Sequence, residues 1–155
     1  GMPDQARVAH LIEQVAELDI RIFSTGAPSA NCPSVQALRA AGVKVGIGCD
    51  GIRDTWGPWG QPDMMDRARI VGMKNKMRRD DELELLLHIT STGGADAIGV
   101  AGHSLEIGAS ADLTLVAGET LAHAVVETAA RPMVFKGGRV VARGGKLCVD
   151  GVMMP

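Results

Sequence analysis

Apolar residues recur at three- and four-residue spacing at the start of the chain, which predicts an amphipathic helix over residues 4–18. Its apolar positions are Val8, Leu11, Ile12, Val15 and Leu18. A short apolar run over residues 20–24 predicts a strand, and the proline-containing stretch 26–33 predicts a loop. A second helix is expected between Ser34, a favourable N-cap residue, and Gly42, which suits the position after a helix.

The next strand is the apolar stretch 43–49, which ends at a carboxylate, Asp50, followed by Gly51. Helices and strands thus alternate at the spacing of βα units, whose strands pair in parallel. In α/β barrels the loops at the C-terminal ends of parallel strands converge on one pocket. Asp50 is therefore the first candidate for a catalytic residue. The alternative is that Asp50 only caps the following turn.

The segment 54–62 is a loop rich in Trp, Gly and Pro. Trp56 and Trp59 are three residues apart with Gly and Pro between them, so both can point at a pocket. Alternatively, the two rings are hydrophobic plugs beneath the loop. Helical spacing of apolar residues then predicts three more helices, over residues 63–77, from Asp80 or Asp81 to Ile89, and over residues 94–98.

From Ile107 onward the pattern changes to short β-type runs, at residues 111–116, 133–136 and 139–143. Gly137-Gly138 predicts a two-residue hairpin turn between the last two runs. A short helix is expected over residues 121–128. These patterns predict an α/β part, residues 3–106, and a small β module, residues 107–150.

Composition excludes several classes of function. The chain has 155 residues, enough for one domain with a sizeable core, and its net charge of −2 offers no basic surface for nucleic acid or an anionic membrane. There is no signal-peptide pattern and no apolar run near the ~18 residues that a membrane span needs, so a cytoplasmic protein is expected.

The cysteines and histidines form no recognisable site. Cys32, Cys49 and Cys148 contain no CxxC pair, which argues against a disulfide framework and a structural zinc site. Cys49, flanked by apolar residues, is predicted to be a buried thiol. The histidines are scattered through the chain, without H-x-H or H-E-x-x-H spacing, at His10, His88, His103 and His123. No G-x-S-x-G motif supports a hydrolase of the nucleophilic-serine type.

Four segments in order resemble the amidohydrolase superfamily, in particular the cytosine deaminases. The stretch from Gly46 to Gly60 resembles the segment that follows the last barrel strand in that family, and residues 90–99 resemble the helix after it. Residues 105–116 match the family's Gly-x-x-Ala-Asp-Leu-x-x-Leu strand, and residues 134–142 are similar to its final hairpin. The resemblance covers nearly the whole chain but corresponds only to the C-terminal part of such an enzyme.

The resemblance implies a TIM-like barrel followed by a β-sandwich, and a divalent metal, zinc or iron, that activates water for attack on a ring carbon. The chain would then contribute the last two βα units of the barrel and a small β module of the sandwich. Asp50 occupies the position of the strand-end aspartate, which faces or binds the metal and accepts the water's proton. Trp56 resembles a family residue that borders the substrate, a small heterocyclic amine or amide.

The chain departs from the family pattern at the metal ligands. None of its four histidines occupies a family ligand position, and Gly51 stands where many relatives have a second acid. One carboxylate cannot hold a catalytic metal, because such sites usually take about three protein ligands. Two hypotheses follow. Either the chain is part of an enzyme completed by an N-terminal barrel segment or by another copy, or it is a non-catalytic remnant that retains an assembly role.

Overall fold

The structure is a computed structural model that describes residues 4–26, 34–149 and 152–153, the last two as backbone only. Its helices are α1 (Gln5–Glu17), α2 (Val35–Ala40), α3 (Met64–Lys74), α4 (Asp80–Thr90), α5 (Thr92–Ile98) and α6 (Leu121–Val126). Its strands are β1 (Ile22–Ser24), β2 (Val45–Ile47), β3 (Leu113–Leu115), β4 (Met133–Lys136), β5 (Arg139–Arg143), β6 (Lys146–Val149) and β7 (Val152–Met153). Within the described ranges, no helix has both the length and the apolar character that a membrane crossing demands.

Every helix and strand predicted from the sequence is present, although most are shorter than the pattern suggested. The strand expected over residues 43–49 is regular only from Val45 to Ile47. Strands β6 and β7 were not predicted. Most of the proline-containing loop expected over residues 26–33, including Cys32, lies outside the described residues.

Strands β1 and β2 form a two-stranded parallel sheet, which confirms the pairing expected for βα units. The register places Phe23 opposite Gly46 and Ser24 opposite Ile47. Both strands therefore run toward the same edge of the sheet, and the loops that follow them leave from that edge. This common edge is called the carboxyl edge below.

Helices cover one face of this sheet. Val43, Val45 and Ile47 alternate along the chain and are buried in a single cluster with apolar residues of α2, α3 and α4. The opposite face is open: Phe23 is 48% exposed, and its ring lies against Gly46, where an added Cβ would be 2.2 Å from Cε1. Parallel sheets are normally covered on both faces. The helices of the described part of the chain thus leave the Phe23 face uncovered.

The start of α4 differs from the prediction that Asp80 or Asp81 caps it. Arg79 occupies the N-cap position, and both aspartates lie in the first turn, where negative charge is favourable. The backbone N–H groups just before the helix are bound by Glu82, whose Oε2 accepts from those of Arg78 (2.8 Å) and Arg79 (3.1 Å). The side chain of a glutamate at the third helical position can turn back and accept from the N–H groups that precede the helix, as in a capping box.

The second sheet is antiparallel, with strand order β3-β4-β5-β6-β7. Gly137-Gly138 joins β4 to β5 with both φ angles positive (55° and 77°), as a primed two-residue turn requires, and confirms the predicted hairpin. Gly144-Gly145 joins β5 to β6 in the same way (55° and 78°). Helix α6 lies between β3 and β4 in the chain, and its Ala124 and Val125 are buried in the cluster that also contains residues of α3 and α4.

Asp112, the acid of the Ala-Asp-Leu motif, anchors the first of these hairpins. Its Oδ1 accepts from the backbone N–H of Gly137 (2.7 Å), and its Oδ2 pairs with Lys136 Nζ. The Lys136 hydrogen bond, followed by the Gly137 amide, lowers the pKa of Asp112 below its ordinary value of 3.8. The motif therefore holds the β4–β5 turn against the strand that precedes β4 in the sheet.

We expect the β4–β5 turn to loosen in acid because of this lowered pKa. A carboxyl group with a lower pKa in the folded state stabilises that state above its unfolded pKa, and the contribution is lost as pH falls below about 4. The protection factor of the Gly137 amide, which compares its exchange rate with the intrinsic rate at the same pH, should therefore fall in acid. In Asp112→Asn, which keeps an acceptor oxygen but cannot ionise, this pH dependence should disappear; if it persists, another group is responsible.

Candidate functional site

Asp50 lies at the carboxyl edge, three residues after the end of β2. Its backbone is left-handed, with φ of +57°, which is uncommon for residues other than glycine but tolerated by aspartate and asparagine. The residue is exposed, and among the described residues its carboxylate has no hydrogen-bond or ion-pair partner. Within the described ranges, Asp50 is thus an unpaired carboxylate at the edge where barrel enzymes hold their catalytic groups.

The turn after β2 is capped by a different aspartate. Asp54 Oδ1 accepts from the backbone N–H of Trp56 (2.9 Å), and Asp54 forms an isolated antiparallel bridge with Gly57. A Cβ added to Gly51 would lie 1.8 Å from Asp54 Oδ2. The Asp54 carboxylate therefore occupies the space that a side chain at position 51 would need, and it fills the capping role considered for Asp50.

The Asp50 loop, defined as residues 50–62, is closed by contacts between its two sides. The backbone N–H of Arg53 donates to the carbonyl of Trp59 (3.0 Å). Gly60 has φ of +99°, and a Cβ there would lie 3.0 Å from the carbonyl oxygen of Gly51, so both conformation and space require glycine. Near its end, Gln61 Nε2 donates to Asp66 Oδ2 (3.0 Å) in α3.

The tryptophans of this loop are not plugs beneath it. Trp56 is 96% exposed and Trp59 is 83% exposed, so neither ring packs on the core of this chain. The two exposed indoles therefore add apolar surface to the Asp50 loop. The prediction that Trp56 borders a substrate remains a prediction.

The first turns of α3 hold the far end of the Asp50 loop. Asp63 caps the helix by accepting from the backbone N–H groups of Met65 (2.9 Å) and Asp66 (3.4 Å), and its other oxygen pairs with Arg131. Hydrogen bonds from Gln61 and then from Arg69 lower the pKa of Asp66. The Asp50 loop therefore ends at the start of α3, where Asp63 caps the helix and Asp66 accepts a hydrogen bond from Gln61.

Sequence reasoning missed Arg67, which the structure places at this site. Arg67 is only 9% exposed, and its Nη1 donates to the carbonyl oxygen of Thr25 (3.0 Å), just after β1. A Cβ on Gly60 would lie 3.8 Å from Nη2 of the same guanidinium. The signal in the sequence was its position: Arg67 stands three residues after Met64 and four before Val71, within the apolar stripe of α3.

The sulfur atoms of Cys49 and Met64 lie close to each other near the Asp50 loop. Cys49 is half-buried, not buried as predicted, and its Sγ lies 3.5 Å from Sδ of Met64. The difference arises because β2 ends at Ile47, so Cys49 lies beyond the regular strand and outside the cluster that buries Val45.

The described residues do not by themselves fit a catalytic metal. No group of three or more His, Cys, Asp or Glu side chains able to hold an ion occurs among them. The histidines of the C-terminal half have other contacts: His88 Nδ1 lies 3.0 Å from Thr92 Oγ1, and His103 Nε2 lies 3.0 Å from Asp96 Oδ1. Asp50 is distant in sequence from both pairs and takes part in neither hydrogen bond.

Similar proteins share this combination of parallel strands and antiparallel sheet. A curated N-isopropylammelide isopropyl amidohydrolase from Pseudomonas sp. (strain ADP) is 29% identical over 125 residues, which are 80% of this chain and 30% of that protein. The crystal structure of N-isopropylammelide isopropylaminohydrolase from Burkholderia multivorans matches with a TM-score of 0.89 and 43% identity, over 94% of this chain and 37% of that chain. This chain thus spans about a third of the length of these relatives.

More distant structures share the fold. A 5-methylcytosine deaminase from Klebsiella pneumoniae, liganded with 5-fluorocytosine, has a TM-score of 0.80 at 22% identity, over 90% of this chain and 37% of that chain. Two further matches of this fold contain zinc. The profile of the amidohydrolase family matches residues 4–141, nearly the whole chain. This protein therefore belongs to the amidohydrolase family.

Proposed function

We propose that this chain carries the C-terminal part of a metal-dependent amidohydrolase that hydrolyses non-peptide C–N bonds of cyclic amidines or ring amines, a class that includes cytosine. The observation that carries the proposal is the 43% identity, over 94% of the chain, to an enzyme whose name states removal of an alkylamine from ammelide. Heterocycles with an exocyclic nitrogen are therefore the first substrate class to test.

The open face of the β1–β2 sheet supports the view that the chain supplies the last two βα units of a barrel. Phe23 is half exposed on that face, whereas the opposite face is buried under three helices. In this proposal residues 3–106 are a barrel segment and residues 107–150 are a small β-sandwich module. An N-terminal barrel segment or a second copy of the chain would then cover the Phe23 face.

In the proposed site Asp50 accepts the proton of the attacking water. Its carboxylate is exposed at the carboxyl edge and has no partner among the described residues, so its acceptor oxygens remain available. Such proton transfer needs a base within hydrogen-bond reach of the water, which an exposed strand-end carboxylate can provide. Trp56 would border the substrate ring, for which its exposed indole offers an apolar face.

A divalent metal, zinc or iron, is expected for the family, and it would supply an activated water at the carboxyl edge. Asp50 is the residue that we propose to face it. Because the described residues hold no group of three possible ligands, the remaining ligands must come from outside them. We therefore propose that this polypeptide alone is inactive.

Ammonia and alkylamine release tests this function. N-isopropylammelide, 5-methylcytosine and methylthioadenosine serve as probes, with this polypeptide alone and with an N-terminal barrel segment of a relative added, and bound zinc and iron are measured in parallel. We expect no turnover and less than one metal per chain for the polypeptide alone, and metal-dependent release after complementation.

The second candidate is a non-catalytic remnant that retains this part of the fold for assembly. The absence of a group of three possible metal ligands among the described residues favours it. It predicts that complementation restores neither metal binding nor amine release. Turnover by the polypeptide alone would contradict both candidates, because the site would then lie elsewhere.

A further inference from the structure

The buried guanidinium of Arg67 joins two segments that are far apart in sequence. It extends from α3 to the carbonyl oxygen of Thr25, at the end of β1, and its Nη2 lies beside Gly60, at the end of the Asp50 loop. Gly60 in turn lies against the carbonyl of Gly51, next to Asp50. Arg67 therefore lies between the end of β1 and the loop that follows β2.

Burial of this charge is costly and needs an explanation. No acid among the described residues lies within ion-pair distance of Arg67, and its Nε has no hydrogen-bond partner within the same ranges. Buried charges are normally paired with an acid, and a well-packed apolar side chain is often at least as stabilising. A methionine would fill the apolar stripe of α3 equally well, so packing alone does not account for an arginine here.

We propose that Arg67 is a positioning residue: its guanidinium fixes the Asp50 loop to the carboxyl end of β1, so that Asp50 is held at a constant place relative to both strands. The planar fork suits this task, because separate N–H groups point in different directions from a rigid plane. Thr25 O accepts from one of them, and Nη2 lies within ordinary contact distance of Gly60, at the end of the Asp50 loop.

The loop itself provides the probe. Trp56 and Trp59 are the only tryptophans of the chain, which contains no tyrosine, so its tryptophan emission reports on the Asp50 loop alone. The variants are Arg67→Met, which keeps the stem and removes the donors, and Arg67→Lys, which keeps the charge and one donor group. Arg39→Met is the matched control, since Arg39 is an exposed arginine of α2 with no partner in the described part of the chain.

We expect Arg67→Met to accelerate amide exchange over residues 51–60 by about ten- to a hundredfold, because losing the charged hydrogen bond to Thr25 O removes the fixed guanidinium that lies against Gly60. Tryptophan anisotropy should decay faster in the same variant. Arg67→Lys should lie between Arg67→Met and the parent, and Arg39→Met should match the parent. Exchange at Val71 and Leu86, in the buried cores of α3 and α4, should remain unchanged.

Equal loop exchange in Arg67→Met and Arg39→Met would overturn the proposal, as would an equal acceleration at Val71 and Leu86, which indicates loss of global stability. Should Arg67→Met fail to fold, Arg67→Lys is compared with Arg39→Lys by the same criteria. The link to Asp50 chemistry rests on the proposed function. If Asp50→Asn retains full turnover in the complemented enzyme, the proposed function fails while the exchange results still test the loop attachment.

Discussion

Replacing Asp50 with asparagine should lower turnover of the complemented enzyme by roughly two to four orders of magnitude, the usual range for loss of a general base. The amide cannot accept the proton of the attacking water. The fold should persist, because asparagine has nearly the same volume and tolerates the left-handed backbone of position 50, where φ is +57°. Initial rates of amine release, with circular dichroism as the folding check, measure the effect.

Asp54→Asn is the matched control for this prediction. Asp54 is a carboxylate of the same loop, but its contacts show a turn cap: it accepts from the backbone N–H of Trp56 at 2.9 Å. Asparagine caps turns almost as well as aspartate, so this variant should keep turnover close to that of the parent. Near-normal rates in Asp50→Asn, or an equal loss in both variants, would exclude Asp50 as the specific base.

The isolated polypeptide should form dimers or larger assemblies. Among the described residues the sheet contains only β1 and β2, so each strand lacks a second strand neighbour. Unprotected edges of this kind pair with other chains. The half-exposed Phe23 adds apolar area to the same sheet. Sedimentation velocity at low micromolar concentration should therefore show species larger than the 16.2 kDa chain.

The variant Phe23→Lys tests whether the chains associate through the open face of the β1–β2 sheet. A charge on the open face should shift the distribution toward monomer, because burying a lysine without a partner is unfavourable. Leu147→Lys is the control: Leu147 is 60% exposed in the second sheet, distant in topology from β1. A sharp monomer boundary for the parent would refute the prediction, and an effect of Leu147→Lys alone would assign the assembly to the second sheet.

Local signals in the sequence were sufficient for most elements. Ser34 is the N-cap of α2, and its Oγ accepts from the backbone N–H of Ala37 at 3.0 Å. Gly137-Gly138 forms the expected hairpin, because two glycines readily adopt the two positive φ angles of a type I′ turn, whose twist matches that of the strands. Gly144-Gly145 has the same signature, so β6 could have been predicted from it. Strand length was overestimated, since apolar runs do not show where pairing ends.

The roles of the residues around Asp50 depended on the tertiary structure. The sequence placed a carboxylate after β2 and left open whether it caps the turn. Asp50 and Asp54 are both aspartates of the same loop, and only their contacts distinguish their roles. The fold directs Asp54 to the Trp56 amide and leaves Asp50 without a partner among the described residues.

Arg67 shows the same limit more clearly. Its place in an apolar stripe could have marked it as unusual, but its acceptor, the Thr25 carbonyl, lies 42 positions away in sequence. Helical periodicity describes only neighbours within a turn or two. The sequence by itself therefore determined the order of the helices and of strands β1 to β5, the Gly137-Gly138 hairpin and the position of Asp50 after a strand. The tertiary structure alone decided which polar groups meet at the carboxyl edge, because those contacts join segments whose spacing no local pattern records.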